Sequence, residues 1–353
     1  MVPGIGSAHL RKLVDYFGSA ECAWYASDKE IRFSGCLGKA SCVKLTELRQ
    51  KSIDIDKVAS SWERQKIYLC SYQDELYPKG LKNIFNPPML LFYRGDMKFY
   101  NRSIAIVGAR KASNYGRNIA KMLGRELTKS KMSVISGAAI GIDTAAHQGA
   151  LEVGATVAVL GCGVNVSYPP ENRKLLDQIA ECGLILSEYA PGTRPNPKFF
   201  PARNRIISGV ADGTVVVEAA LKSGSLITAE FALSEGRDVF AVPGSVFSSA
   251  SRGCHKLIKQ GAKLVESVHD ILEEYNLTYA ASEKNNAIVL SKEEKSIYDL
   301  LTYNEPMTID EIILKTRSDV SNITFILLQM ELRGLLLEHS PHCYVRAIKE
   351  DVL

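Results

Sequence analysis

The sequence predicts an α/β protein: a doubly wound sheet, preceded by a small all-α unit and followed by a winged helix. Three observations predict it. Between Ser103 and about Tyr275, short β-branched runs alternate with helical patterns. Residues 1–61 show helical spacing and no strand signal, and beyond about residue 290 three helical patterns precede two short apolar runs. A chain of 353 residues has room for two or three domains and an ample core. The expected division is 1–61 helical, 62–276 α/β, 277–290 linker and 291–353 winged helix.

In the first unit, Val2-Pro3-Gly4-Ile5-Gly6-Ser7 followed by Leu10, Leu13, Val14 and Phe17-Gly18-Ser19 has the form of a helix-hairpin-helix or SAM-like fold. A glycine hairpin of this kind either offers amides to a DNA phosphate or simply joins two helices. The motif begins at residue 2 with no helix before it, as expected of a short start. Ile53 to Lys66 is amphipathic and leads onward. The segment from Tyr77 to Gly95 is punctuated by Pro78, Gly80, Pro87 and Pro88 and contains an extended strand at Leu90 to Tyr93. It is too apolar for a free linker and is expected to pack on the edge of the following sheet.

The stretch from Ser103 to His147 organises the central unit. Ile104 to Val107 is a strand stopped by Gly108, and a helix resumes after Tyr115-Gly116. Met132 to Ile135 repeats the pattern, running into Ser136-Gly137 and then a helix after Gly141-Ile142-Asp143. Further strands are expected at Thr156 to Leu160, Leu184 to Leu186, Thr214 to Val217, Val239 to Val242 and Lys263 to Val265. In a parallel sheet the glycine turns at the strand ends face one crevice, where amides and helix N-termini prefer anions.

The first turn does not read G-x-G-x-x-G, so the dinucleotide fingerprint is absent. Arg110 stands there instead and either grips a phosphate with its planar fork or pairs with an acid such as Asp143. Phe199 to Ser208 brings Arg203, Asn204 and Arg205 to a helix start, with Ile206, Ile207 and Val210 facing the core. Lys222 and Ser223-Gly224-Ser225 lead into another helix, and Gly161 to Pro170 supplies a turn carrying Tyr168. Plain structural roles exist for each: arginines paired with Glu188 or Glu218, serines as N-caps, Tyr168 as packing. Their coincidence at neighbouring strand ends points to an anion site.

Composition narrows the class of function. With 43 basic and 39 acidic residues the net charge is only +4, so nucleic-acid binding requires a local patch. The eight cysteines form no CxxC pair and have no histidines at zinc-finger spacing, as reduced cytosolic thiols would. No metal or cofactor site is expected. No apolar run approaches the ~18 residues of a membrane span, and no signal-peptide pattern opens the chain; the expected location is the cytoplasm.

Five motifs then converge: Val107-Gly108-Ala109-Arg110 with Tyr115-Gly116, SGAAIGIDTAAH from Ser136, FPARNRIISG from Phe200, SGSLITA from Ser223 and EGRDVFAVPG from Glu235. In this order they resemble the DprA/Smf family of DNA-processing proteins over essentially the whole chain. The resemblance implies an extended Rossmann-like domain that binds single-stranded DNA without sequence preference, dimerises, protects incoming DNA and loads the RecA recombinase during natural transformation and recombination. Carried over by motif, the binding residues are Arg110, Arg203 and Arg205, with Lys198 just upstream and the serine turn at Ser223 to Ser225. The chain departs from the family in having Ile140 where a basic residue is common, and Cys254-His255 where asparagine is frequent.

The residues agree with that expectation. Sequence-neutral single-strand binding needs cations along a phosphate track and rings for bases. Arg110, Lys198, Arg203, Arg205 and Lys222 supply the first; Tyr115, Tyr168, Phe199 and Phe200 supply the second; Asn204 and the amides of Gly137 and Gly224 add neutral donors. No catalytic residue is expected, since Asp143 and His147 lie four apart on one helix and a local contact accounts for them. The competing reading is a Rossmann-like nucleotide hydrolase using an acid such as Glu218; an adaptor without a DNA site is a third.

After the polar stretch from Leu277 to Val289, helices are expected at Glu294 to Leu301, Thr308 to Lys315 and Val320 to Arg333, and strands at Leu335 to Glu338 and Cys343 to Arg346. DNA-reading winged helices place Arg or Lys at the start of the third helix. Here that position offers Ser318, Asp319, Ser321, Asn322 and Thr324, which favours protein contact or weak DNA contact over base readout.

Overall fold

The computed structural model describes residues 5–51, 54–277, 290–303, 305–316 and 318–347. The chain begins with four helices, α1 (Ser7–Phe17), α2 (Ala20–Tyr25), α3 (Asp28–Phe33) and α4 (Lys39–Arg49), which bury Leu13, Ala23, Ile31, Leu37 and Leu45 in a core of their own. Gly18, at φ 80°, ends α1 in the left-handed region, and Ser19 caps α2 by accepting from the Cys22 N–H at 2.9 Å. The glycine hairpin at the start falls partly outside the described residues. α5 (Ile55–Arg64) follows, and its Trp62 packs edge-on against Phe92 of the sheet.

The lead-in adds more to the sheet than its sequence announced. β1 (Tyr68–Ser71) and, after the short α6 (Lys79–Lys82), β2 (Leu90–Gly95) pair antiparallel, and β2 pairs antiparallel with a strand of the central unit. The strand at β1 was not anticipated. Tyr77 is buried beneath the lead-in and donates its hydroxyl to Pro88 O at 2.7 Å.

Then come β3 (Arg102–Val107), α7 (Asn114–Lys129), β4 (Met132–Ser136), α8 (Ile142–Leu151), β5 (Thr156–Val159), α9 (Arg173–Cys182), β6 (Leu184–Ser187), α10 (Phe199–Val210), β7 (Gly213–Val216), α11 (Gly224–Ser234), β8 (Asp238–Ala241), α12 (Arg252–Lys259), β9 (Lys263–Leu264) and α13 (Val268–Glu274). The nine strands form one sheet in the order β1-β2-β6-β5-β4-β3-β7-β8-β9, parallel from β6 to β9. Every expected strand of the central unit is present, displaced by no more than two residues at an end.

The two-residue period of the strands splits the core between two faces. Ile104 and Ile106 of β3 point to the layer of α7, α8 and α13, where Leu123, Leu127, Ile142 and Ile271 are fully buried. Ala105 and Val107 point to the opposite layer of α10, α11 and α12, with Ile206, Ile207, Ala229 and Leu257. α7 and α8 pack almost backbone to backbone: a Cβ at Gly149 would lie 1.9 Å from Lys121 O. Among the described residues no helix is long and apolar enough to cross a membrane.

The expected linker at 277–290 lies almost wholly outside the described residues. The C-terminal unit contains α14 (Lys292–Leu300), β10 (Met307–Thr308), α15 (Ile309–Thr316), α16 (Val320–Leu332), β11 (Leu336–Ser340) and β12 (Cys343–Arg346) around a core that includes Ile297, Ile312, Leu327 and Tyr344. β10 joins the far side of β12, completing a winged helix. Asp319, not a basic residue, caps α16 by accepting from the Ser321 N–H at 3.2 Å.

Candidate nucleic-acid interface

The strand order runs backward from β3 to β6 and forward from β7 to β9, so the connections leave the sheet in opposite directions at the junction of β3 and β7. In open α/β sheets a ligand crevice lies at the carboxyl ends of the strands at such a junction. A cavity of about 490 Å³ opens there, lined by Gly108 and Arg110 after β3, Asp143 of α8, Phe200 and Asn204 of α10, and Ser223 to Ser225 at the start of α11. A smaller recess of about 80 Å³ shares Arg110, Phe200 and Arg203 with it and is edged by Ile140, Tyr168 and Pro169.

Arg110 is exposed and, among the described residues, has no carboxylate partner. Its guanidinium carbon lies 5.6 Å from the centre of the Phe200 ring, and Phe200 in turn stacks on Tyr168 with centroids 5.4 Å apart and planes at 28°. The result is a pile of guanidinium, phenyl and phenol at the cavity mouth, with the cation's hydrogen-bonding edge unused. Pairing with Asp143, one of the roles open to Arg110 from sequence, does not occur. The Asp143 carboxylate accepts instead from the Gly137 N–H at 3.1 Å and the Ala139 N–H at 3.3 Å.

The second arginine of the cavity behaves differently. Arg203 is 5% exposed; its Nη1 donates to Gly137 O at 2.8 Å and also to Val159 O. A Cβ at Gly137 would fall 2.5 Å from Arg203 Nη2, so only glycine lets β4's turn lie over the guanidinium. Two expectations are corrected here. Arg203 is a structural floor and not a free phosphate clamp, and the Gly137 amide is consumed by Asp143 and not open to ligand. Burial pushes Asp143 above the usual carboxylate range, while Arg203 and the two amides pull it back; burial likewise lowers Arg203. The Arg203 charge still underlies the cavity from a weakly screened position.

Three more expected contacts point elsewhere. Arg205 donates through Nη2 to Glu188 at 2.6 Å, both side chains being nearly buried, so it serves the core beside β6. Tyr115 is half-buried against the α7 face and donates its hydroxyl to Pro243 O at 2.8 Å. Phe199 stacks on Tyr189 at 4.2 Å, away from the Phe200 pile. Lys198 and Lys222 are exposed and line neither recess, but each adjoins a lining residue, Pro197 and Ser223.

Of the roles open to the serine turn, the structure shows the helix cap. Ser223 is the N-cap of α11: its Oγ accepts from the Ser225 N–H at 3.3 Å and lies 2.7 Å from Ser225 Oγ. Gly224 is exposed at the first helical position, and Asn204 fastens the turn by donating through Nδ2 to Gly224 O at 3.2 Å. Arg110, Phe200, Asn204 and Ser223 to Ser225, from three distant segments, therefore meet in one cavity with Tyr168 at its edge.

The acids and the histidine that a hydrolase would use are occupied or remote. Glu218 is buried, accepts from the Ser113 N–H at 2.9 Å and from the Ser113 hydroxyl, and ties β7 to the start of α7. His147 does not meet Asp143 along the helix; its Nδ1 lies 2.8 Å from Thr156 Oγ1, and complete burial, reinforced by Arg203, drives its pKa down to about 3. The unusual Cys254-His255 pair also finds a physical role. Cys254 is fully buried beneath the end of β7 and His255 Nε2 lies 3.0 Å from Gly244 O.

Comparison with known proteins bears on the same elements. A family model described as DNA recombination-mediator protein A matches residues 68–276, and one described as the DprA winged helix domain matches residues 281–340. The DNA processing protein DprA of Streptococcus pneumoniae is 43% identical over 274 residues, covering 77% of this chain and 94% of that protein. Its X-ray structure superposes with a TM-score of 0.67 at 40% identity, covering 77% of this chain and 94% of that one. The DNA processing protein A structure from Helicobacter pylori, described as giving insight into a single-stranded DNA binding mode, matches with a TM-score of 0.54 at 30% identity, covering 59% of this chain and 95% of that one.

Proposed function

The chain belongs to the DNA recombination-mediator protein A family, and from that premise we propose that it binds single-stranded DNA without sequence preference at the carboxyl edge of its sheet. The observation that carries this reading is the unpaired Arg110 guanidinium lying over Phe200 and Tyr168 at the mouth of the cavity. A planar cation takes a backbone phosphate, and stacked rings offer a face to any base. The exposed Gly224 amide and the hydroxyls of Ser223 and Ser225 face the same space and add neutral phosphate donors. Lys198 and Lys222 flank the mouth and extend the positive field along the strand. The H. pylori relative, whose description names a single-stranded DNA binding mode, supports the same ligand.

In this reading the bound strand is protected and passed to the RecA recombinase, the role the family's description as a recombination mediator supports. The protein works as a homodimer through the α/β unit. An open sheet edge at β9 with Leu264 exposed, together with the exposed Leu233 of α11, favours that association. We read residues 1–61, 62–276 and 291–353 as separate units, the last two joined by 277–290. The winged helix serves protein contact: α16 begins at an acidic cap and exposes Phe325, Leu328 and Leu332 instead of cations. The hydrolase reading is disfavoured by Glu218, whose carboxylate is held by Ser113 and lies outside the cavity lining.

The test is binding of single-stranded and duplex oligonucleotides of several sequences across a salt series. Preference for the single strand, equal for all sequences and falling steeply with salt, supports the reading; preference for duplex overturns it. A strand-exchange assay with RecA on protein-coated single strands tests the loading step.

A further inference from the structure

We propose that the loop after β8 carries a second base-stacking position, Phe247 beside Val246, which extends the single-strand track beyond the cavity; this rests on the cavity being a DNA site. Phe247 is 94% and Val246 70% exposed. An aromatic ring presented almost wholly to water is a surface waiting for a flat apolar partner. Its mount is firm. The Phe247 N–H donates to Ser245 Oγ at 3.3 Å, the Ser248 N–H to Ser245 O at 3.0 Å and the Ser251 N–H to Ser248 O at 3.2 Å. Tyr115 holds the start of the loop through Pro243 O.

The strand order sets where this ring stands. Along the carboxyl edge the neighbours run β5-β4-β3-β7-β8, so the segments after them come in the order Tyr168, Ile140, Arg110, Ser223, Phe247. At roughly 4.8 Å per strand, the end of β8 lies about 10 Å from that of β3 and about 20 Å from that of β5. The row therefore reads ring, cation, amide turn, ring. The β7 and β8 segments are stitched together, since the Ala219 N–H donates to Ala250 O and the Gly253 N–H to Ala219 O, both at 2.7 Å. Leu221, 54% exposed, lies between Ala219 and the Ser223 turn.

Charge favours a polynucleotide as the occupant. Lys111, Lys222 and Arg252 are exposed on the segments after β3, β7 and β8, and none has a carboxylate partner among the described residues. Past β8 the edge turns acidic at Glu266 and Asp270, which sets an end to the track.

The test uses the full chain and fluorescence anisotropy with labelled oligothymidines of two lengths, one short enough to fill only the cavity. Phe247→Ala is expected to weaken the longer strand about tenfold, within the range for one base stacked on an aromatic ring, and to leave the short strand unaffected. Phe247→Tyr, which keeps a ring, is expected to bind as the parent does. Three results overturn the proposal: undiminished binding of the longer strand by Phe247→Ala, equal loss at both lengths, or a changed sedimentation coefficient of Phe247→Ala without DNA, which makes the ring a protein contact. Arg110→Ala is run alongside. If it weakens both lengths while Phe247→Ala weakens neither, the cavity site stands and only the extension fails; if Arg110→Ala weakens neither, the cavity reading itself fails.

Discussion

Replacing Arg110 with alanine removes a charge that the folded protein does not use for its own stability. The side chain is exposed and lies over the Phe200 ring, a cation–π interaction of about 0.5–1 kcal/mol at such a site. The denaturation midpoint should therefore move little. Binding should suffer much more, because a charge-assisted hydrogen bond to phosphate contributes about 1.5–3 kcal/mol, or roughly 10- to 150-fold in affinity. One phosphate contact on a single strand also accounts for about 0.7 in the slope of log K against log salt. The assay is anisotropy with oligothymidine, oligocytidine and a mixed sequence over a range of salt. Arg110→Lys keeps the charge but not the planar fork and should fall between the two. An unchanged salt slope, or a loss confined to one sequence, refutes the reasoning.

Other substitutions separate stability from binding. Arg205→Ala strands the buried Glu188 carboxylate and should cost about 3–5 kcal/mol in urea unfolding, while the folded fraction keeps its DNA affinity; a selective affinity loss at unchanged stability contradicts the assignment of Arg205 to the core. Gly137→Ala drives a methyl against the Arg203 guanidinium and should destabilise by at least about 1–3 kcal/mol, read as a lowered urea midpoint. His147 is held neutral far below the ordinary histidine pKa, so the unfolded chain takes up the proton first as pH falls. Stability is complete above about pH 6.5 and declines toward about pH 3; the part lost by about pH 5 is about 2 kcal/mol. His147→Gln should remove that portion of the pH dependence, and parallel pH profiles for variant and parent would show that His147 is not its source. Because Asp143 is shifted upward it contributes in the opposite sense, and the difference between the two profiles isolates the histidine.

The parallel strands were legible because each is a β-branched run closed by glycine or a polar turn, and burial on both faces selects such runs. β1 escaped because Tyr68-Leu69-Cys70-Ser71 is a half-exposed edge strand with no turn residues before it. Two-residue β10 is too short to show any period. In the site, the sequence brought the right segments together but not the direction of each side chain. Arg203 carried a usable signal: it precedes Ile206, Ile207 and Val210 by three, four and seven residues and so shares their core-facing stripe. Arg205, two positions on, was read as part of the same cluster, with pairing to Glu188 as its plain structural role; the structure shows that pair, which the sequence alone did not single out across 17 residues. The free state of Arg110 was undecidable from sequence, since it depends on Asp143 finding the Gly137 and Ala139 amides first.

The central claim concerns where a strand lies on this molecule, and photocrosslinking tests it most directly. A halogenated oligothymidine bound to the full chain, irradiated and mapped by mass spectrometry, should attach to peptides containing Arg110, Tyr168, Phe200 and Ser223 to Ser225. Attachment concentrated in α1 to α4 or in the winged helix, with those peptides unmarked, would contradict the account.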